Sequence, residues 1–206
     1  VWALDRIGVT EEDRHRTRLY REQARRRAEA AGTPSLEDFL HSLELRVTVR
    51  RAGPSDIGRI AQMERRTNQM NLGVQRRSER EVAALVERTA AQAAGTRPVA
   101  GEQISEGVSG TPVAAWVVDA KDRFGDYGAV GWVVATRGGD SAEMMNVDTF
   151  LLSCRALGKQ IEDAILSVLA RFAAAAGCKT LGARHQMTGR NLPVAKFLQK
   201  TGWRRQ

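Results

Sequence analysis

The apolar positions of the chain change period repeatedly, and each period names an element. Leu45, Val47 and Val49 alternate with polar residues, as a half-buried strand does. Residues 112–120, 128–136 and 143–152 are dense in apolar and β-branched side chains and are separated by turn-formers at 123–128 and 137–140, which predicts three strands of an antiparallel meander. From Gly158 to Ala176 the period becomes helical: Ile161, Ile165, Val168, Leu169 and Phe172 share one face before Gly177 stops the helix. Residues 179–185 return as a strand, and Asn191 opens a last helix that ends at Gly202.

Other helix starts are marked by side chains able to accept from the first unpaired N–H groups. Thr10-Glu11-Glu12-Asp13 begins a helix that runs to Ala30-Ala31-Gly32, and Thr33-Pro34-Ser35 begins a short one to about His41. Ser55 caps a helix ending near Arg66, and the Ser78-Glu79-Arg80-Glu81 capping box opens another that ends near Gln92. Residues 95–111 are rich in Gly, Ser and Thr, lack periodicity and predict a mobile surface loop. The order β-α-α-β-β-β-α-β-α is mixed α/β, with residues 1–42 as a helical connector arm and 43–206 as the compact domain, and no internal repeat competes with it.

With 206 residues and 42% hydrophobic content the chain can bury one substantial core. It has no run of the ~18 apolar residues that suggests a membrane span and no signal-peptide build, so the expectation is a cytoplasmic protein without a membrane partner. Cys154 and Cys178 are then free thiols, and three scattered histidines with two cysteines offer no metal-ligand spacing. A net charge of +8 and a pI near 10.3 attract acidic partners. Much of the arginine lies between Arg14 and Arg27, where Glu12 and Arg16, and Glu22 and Arg26, stand four apart as on a solvent-facing helix. Basic residues are not interleaved with stacking aromatics, which argues against a nucleic-acid partner.

The most chemically informative segment is 146–162, where an apolar strand runs into a turn bearing Cys154 and then into a helix. A thiol facing a helix N-terminus gains thiolate character and a set of N–H donors for an oxyanion, the needs of acyl transfer through a thioester. The other reading is a small buried residue finishing a strand; Cys178 is a packing residue in either case. His185, at the end of its strand, is either a general base or a satisfied polar residue.

The element order, with the strand, the Arg155-x-x-Gly158 turn and the helix, resembles the GCN5-related N-acetyltransferase (GNAT) fold: a mixed central sheet with flanking helices. That resemblance implies two parallel strands that splay apart, the pantetheine arm of coenzyme A in their cleft, and turn amides holding its pyrophosphate. The usual turn ends in Gly or Ala where this chain has Gln160.

A closer likeness rests on Arg66-Thr-Asn-Gln-Met-Asn71, Asp122-Arg-Phe-Gly-Asp-Tyr-Gly128, Asp148 through Gly158, and Thr188-Gly-Arg-Asn191. Together these resemble the C-terminal half of FkbH-like proteins. Their resemblance implies a glyceryl unit taken from 1,3-bisphosphoglycerate by a haloacid-dehalogenase-like (HAD-like) phosphatase domain and loaded through Cys154 onto an acyl carrier protein for polyketide assembly. The phosphatase signature is absent from the sequence, and the family's final strand pair would follow its last residue. No cofactor is then bound permanently; the visiting group is the carrier's phosphopantetheine arm, or coenzyme A, with Arg155, Gly158, Lys159, Thr188 and Asn191 as the residues that meet it. Asn191 also suits a helix N-cap. Asn68, Gln69 and Asn71 either bind glyceryl hydroxyls or cap a helix and form a turn, and Arg123 and Asp126 either shape the acyl pocket or make a plain hairpin turn. Two alternatives stand beside this reading: an acetyl coenzyme A dependent N-acetyltransferase, and a non-catalytic module that docks the carrier.

Overall fold

The computed structural model describes residues 11–73, 76–94, 111–137 and 143–203. Nearly all of the expected loop 95–111, the cap position Thr10 and residues 138–140 of the expected turn lie outside these. Two compact units divide the described chain: one runs to Arg46 and includes Lys121–Asp126, the other takes Val47–Ala120 and Tyr127 onward.

The first unit contains α1 (Glu11–Gly32), α2 (Leu36–Ser42) and the tip of a hairpin. Ser35 caps α2 by accepting from the Asp38 N–H at 3.1 Å, as its sequence suggests. The Glu22 and Arg26 pair does not face solvent. Both side chains are buried, and Arg26 grips Asp122 through Nε at 2.7 Å and Nη2 at 2.8 Å. Asp122 Oδ1 also accepts from the N–H groups of Phe124 and Gly125, which closes the tip. A Cβ on Gly125 would meet the Glu22 carboxylate and push that side chain aside.

The sheet comprises six strands among the described residues: β1 (Arg46–Arg51), β2 (Met70–Asn71), β3 (Thr111–Asp122), β4 (Gly125–Arg137), β5 (Met144–Leu152) and β6 (Thr180–Ala183), in the order β1-β3-β4-β5-β2, with β6 also on β5. α3 (Ile57–Arg66) and α4 (Glu79–Ala93) cover one face. Ile60, Ala61 and Met63 of α3 and Val82, Leu85 and Val86 of α4 pack against Val117, Trp132, Val134 and Leu151. Each such aliphatic side chain contributes about 1.5–3 kcal/mol on full burial. Ser78 and Glu81 make the expected reciprocal capping box at the start of α4. On the other face lie α5 (Ile161–Ala175) and α6 (Leu192–Lys200). Ile161, Ile165, Leu169 and Ala173 form the buried stripe of α5, and Phe197 stacks at 5.5 Å on Phe150.

The middle of β5 positions everything that follows. Val134 pairs with Thr149 but Ala135 pairs with Val147, so Asp148 is an extra residue in a β-bulge. Parallel pairing of β5 with β6 ends at Val147 and Ala183, beside that bulge. Beyond it β5 turns to β2: Met70 pairs with Leu152, Asn71 with Leu151, and the Leu72 N–H donates to Phe150 O at 3.1 Å. β2 is absent from the sequence pattern, because two residues carry no period.

Asp148 is held by a buried network. Arg77, 5% exposed, donates from Nη2 to Asp148 Oδ2 at 2.6 Å and from Nη1 to Glu64 Oε1 at 3.0 Å and Thr149 Oγ1 at 2.8 Å. Burial pushes the Glu64 carboxyl above the usual range, and the neighbouring Arg77 pulls it back only in part.

Candidate functional site

The turn that bears Cys154 is fixed at both ends. Ser153 N–H donates to Val130 O at 2.7 Å, which ties the end of β5 to β4, and Ala156 is fully buried. Between them, Cys154–Ala156 form one 3-10 turn closed by Leu157 N–H on Cys154 O at 3.4 Å. Cys154 is exposed and Cys178 buried. A thiol in this place is open to reagents.

It is not, however, on the first turn of the helix. Sequence periodicity starts that helix at Gly158; the structure starts α5 at Ile161, because Gly158 and Gln160 both adopt left-handed conformations, φ 74° and 57°. Glu162 and Asp163 occupy the first turn of α5, so the positive end of its dipole already faces carboxylates. The donors that the sequence suggests for an oxyanion therefore stand several residues past the thiol. Lys159 Nζ donates to Arg155 O at 2.9 Å and lies 5.5 Å from the Tyr127 ring centroid, folding back over its own turn.

The remaining sequence candidates separate into two groups. Asn71 is buried; its Nδ2 donates to Thr67 O, and its carbonyl accepts from Asn191 Nδ2 at 3.3 Å. Asn191 is 1% exposed, donates also to Gln186 O at 2.9 Å, and accepts from Thr188 N–H on Oδ1 at 2.7 Å. Asn71, Thr188 and Asn191 thus tie β2 to the approach of α6. Asn191 stands at the N-cap position of α6, as expected, and its carbonyl accepts from Val194 N–H at 3.0 Å, while its side chain makes no cap bond to the helix. Asn68 accepts from Arg76, while Gln69 is exposed. Arg123 and Asp126 belong to the other compact unit, where Arg123 pairs with Glu29 at 2.5 Å.

β6 ends at Ala183, level with Val147, and His185 follows two residues later, whereas Cys154 lies seven residues beyond Val147 in the 3-10 turn.

The sequence pattern also misses the setting of Arg59. Arg59 on α3 donates from Nε and Nη2 to Ala129 O, at 3.2 and 3.0 Å, and from Nη1 to Gln62 Oε1. Burial lowers its pKa, and the charges of Arg155 and Arg66 lower it further. The signal available in the sequence is the seven-residue spacing of Arg59 and Arg66, which puts both on one helix face.

β2 occupies the edge of β5 along which the resemblance places a coenzyme A arm. The edge of β5 beyond the bulge, where the strands part, is hydrogen-bonded to residues 70–72, and Asn191 crosses behind them. At the turn, a left-handed Gln160 and two first-turn carboxylates stand where the resemblance implies a diphosphate.

No family model matches the chain, and no curated protein does. Solved structures do match. A putative acetyltransferase of the GNAT family from Desulfovibrio desulfuricans aligns with a TM-score of 0.55 at 13% identity, over 78% of this chain and 87% of that one. The chain has the GNAT fold. The aminoglycoside N-acetyltransferase AAC(6')-Iy, in complex with the bisubstrate analogue CoA-S-monomethyl-acetylneamine, aligns with a TM-score of 0.50 at 11% identity, over 78% and 92% of the two chains. Within the GNAT fold, the turn carrying Cys154 is the one between β5 and α5, and the splayed pair is β5 and β6. No described helix is long and apolar enough to cross a membrane.

Proposed function

We propose that this chain is an acyltransferase domain that passes a glyceryl unit, derived from 1,3-bisphosphoglycerate, to an acyl carrier protein through a thioester on Cys154. The observation that carries the reading is the exposed thiol on a tied turn at the end of β5, just past the strand edge that β2 pairs with. Chemistry on such a thiol needs no arm threaded between β5 and β6. It needs only that two reagents reach the turn in succession.

In the first step Cys154 Sγ attacks the acyl carbon of the acyl phosphate; the C–S bond forms, the C–O bond to phosphate breaks, and phosphate leaves with the electron pair. In the second, the carrier's phosphopantetheine arm attacks the same carbon as its thiolate, the new C–S bond forms, the bond to Cys154 Sγ breaks and Cys154 leaves as thiolate. The exchange converts one thioester into another, so it needs little driving force. A partner phosphatase of the HAD-like class removes the remaining phosphate, and the net charge of +8 draws the acidic carrier to the chain.

The test is intact mass after incubation with that phosphatase partner and 1,3-bisphosphoglycerate. Wild type should gain one glyceryl-type adduct that hydroxylamine removes, and Cys154→Ala should gain none. An adduct that persists in Cys154→Ala would remove the proposed relay.

A second reading is favoured by the AAC(6')-Iy likeness: an acetyl coenzyme A dependent N-acetyltransferase that uses no cysteine. It predicts saturable coenzyme A binding. The filled β5 edge and the Gln160 turn predict the opposite: calorimetric titration should show no saturation up to about 1 mM, the top of the usual range for enzyme substrates. Micromolar binding, with amine acetylation that survives Cys154→Ala, would place the second reading first.

A further inference from the structure

We propose that the outward face of α1, along Arg18, Arg21 and Arg25, is the docking surface for an acidic helix of the acyl carrier protein. The three arginines stand three and four residues apart, so they share one side of α1 and recur at about 4.5 and 6 Å along its axis. All three are exposed, and the Arg18 side chain stays 64% accessible despite its contact with Glu22. The acids of the same helix turn inward. Glu22 is buried and lies 3.7 Å from both Arg18 and Arg26, and Glu29 pairs with Arg123 at the hairpin tip. Among the described residues neither Arg21 nor Arg25 has a carboxylate partner.

Like charges three and four residues apart on a helix repel, and a solvent-facing helix ordinarily sets acids between them. In α1 those acids serve the packing against the tip, where Arg26 and Glu22 are buried, so the outer row is left to pair with something else. An acidic helix presents carboxylates at the same three- and four-residue spacing, so the two rows can meet in register. Each guanidinium can then fork onto one carboxylate. A membrane surface fits less well, because Tyr20 is the one large apolar side chain that α1 exposes among the described residues. The same single tyrosine makes no stacking platform for bases. That the acidic partner is a carrier protein rests on the acyl-relay reading above.

Fluorescence anisotropy of a dye-labelled acyl carrier protein in its holo form, titrated with the full chain, reads the contact. Arg21→Glu with Arg25→Glu should weaken binding about ten- to thirtyfold, the effect of reversing two charges near contact in salt-screened water. Arg21→Gln with Arg25→Gln, which adds no repulsion within α1, should fall between that variant and wild type. Arg80→Glu with Arg171→Glu, at exposed positions outside α1, changes the net charge equally and should weaken binding by less than about threefold, the share of long-range attraction. Reversing acids to lysine on one helix of the carrier should restore binding to the Arg21→Glu, Arg25→Glu chain and weaken binding to wild type. Equal weakening by the two pairs of glutamate substitutions would overturn the docking face. So would tighter binding of anionic lipid vesicles or duplex RNA than of the carrier, lost with the same two arginines. Carrier binding without any adduct on Cys154 would sink the relay and leave the face; glyceryl transfer with a carrier affinity indifferent to Arg21 and Arg25 would do the reverse.

Discussion

Arg77→Met should destabilise the domain by about 3–5 kcal/mol, because it strands two carboxylates in the core at once. Methionine fills much of the arginine's volume, so the loss measures the charge and the hydrogen bonds rather than a cavity. Arg77 reaches Glu64 on α3 and Asp148 and Thr149 on β5, and those residues are nearly inaccessible. Asp148 is also the bulged residue at which β5 parts from β6. Removing its partner therefore attacks the irregularity that lets β2 take the strand edge. Denaturant unfolding of the variant gives the magnitude. A change below about 1 kcal/mol, the size expected for a surface ion pair, would show that the network is not closed to water.

The same network sets a pH dependence with a definite sign. Burial raises the Glu64 carboxyl above its ordinary value of 4.5, so the folded chain holds this proton more tightly than the unfolded one. Its contribution to stability is full below pH 4.5 and is lost as pH rises through the higher folded value. Glu64→Gln keeps an acceptor for Arg77 and removes the titration. The difference in unfolding free energy, wild type minus variant, should fall as pH rises above 4.5. A flat or rising difference would reverse the assignment. Asp56 behaves in the opposite sense: the Arg50 guanidinium at 2.7 Å holds it low, and its contribution is lost only as pH falls.

Much of the architecture is legible in the sequence because its carriers are local. Ser35 and Ser78 cap what their spacing says they cap, and the periods of the meander strands and α5 place the layers correctly. What is not legible has partners far away in the chain. β2 exists only because Met70 and Asn71 meet Leu152 and Leu151, some eighty residues later. Arg77 and Glu64 look like two more surface charges until their thirteen-residue separation closes in space. At the site, exposure of Cys154 follows from the 3-10 turn, and the late start of α5 follows from a left-handed Gln160, which no glycine signal announces. The polar residues Asn71, Thr188 and Asn191 suit ligand contact by type, yet buried amides must satisfy one another first, and here they do.

Arg26→Met should open the first compact unit. Asp122 has a fully buried side chain and takes two guanidinium hydrogen bonds from Arg26, ninety-six residues away in sequence. Without them it keeps the N–H groups of Phe124 and Gly125, at 2.9 and 3.1 Å, but no counter-charge from Arg26. Stranding that carboxylate costs about 3 kcal/mol or more. If α1 opens by releasing this contact, its tryptic sites at Arg18, Arg21 and Arg25 should cut on the order of a hundredfold faster, since each 1.4 kcal/mol is tenfold in the open population. The charge, rather than the lost packing, is isolated by adding Asp122→Asn: the neutral amide still accepts from the two N–H groups and needs no cation. The double variant should therefore recover most of the protection that Arg26→Met loses. Equal cleavage in the single and double variants would mean that the arginine's stem, not its pairing with Asp122, holds the helix.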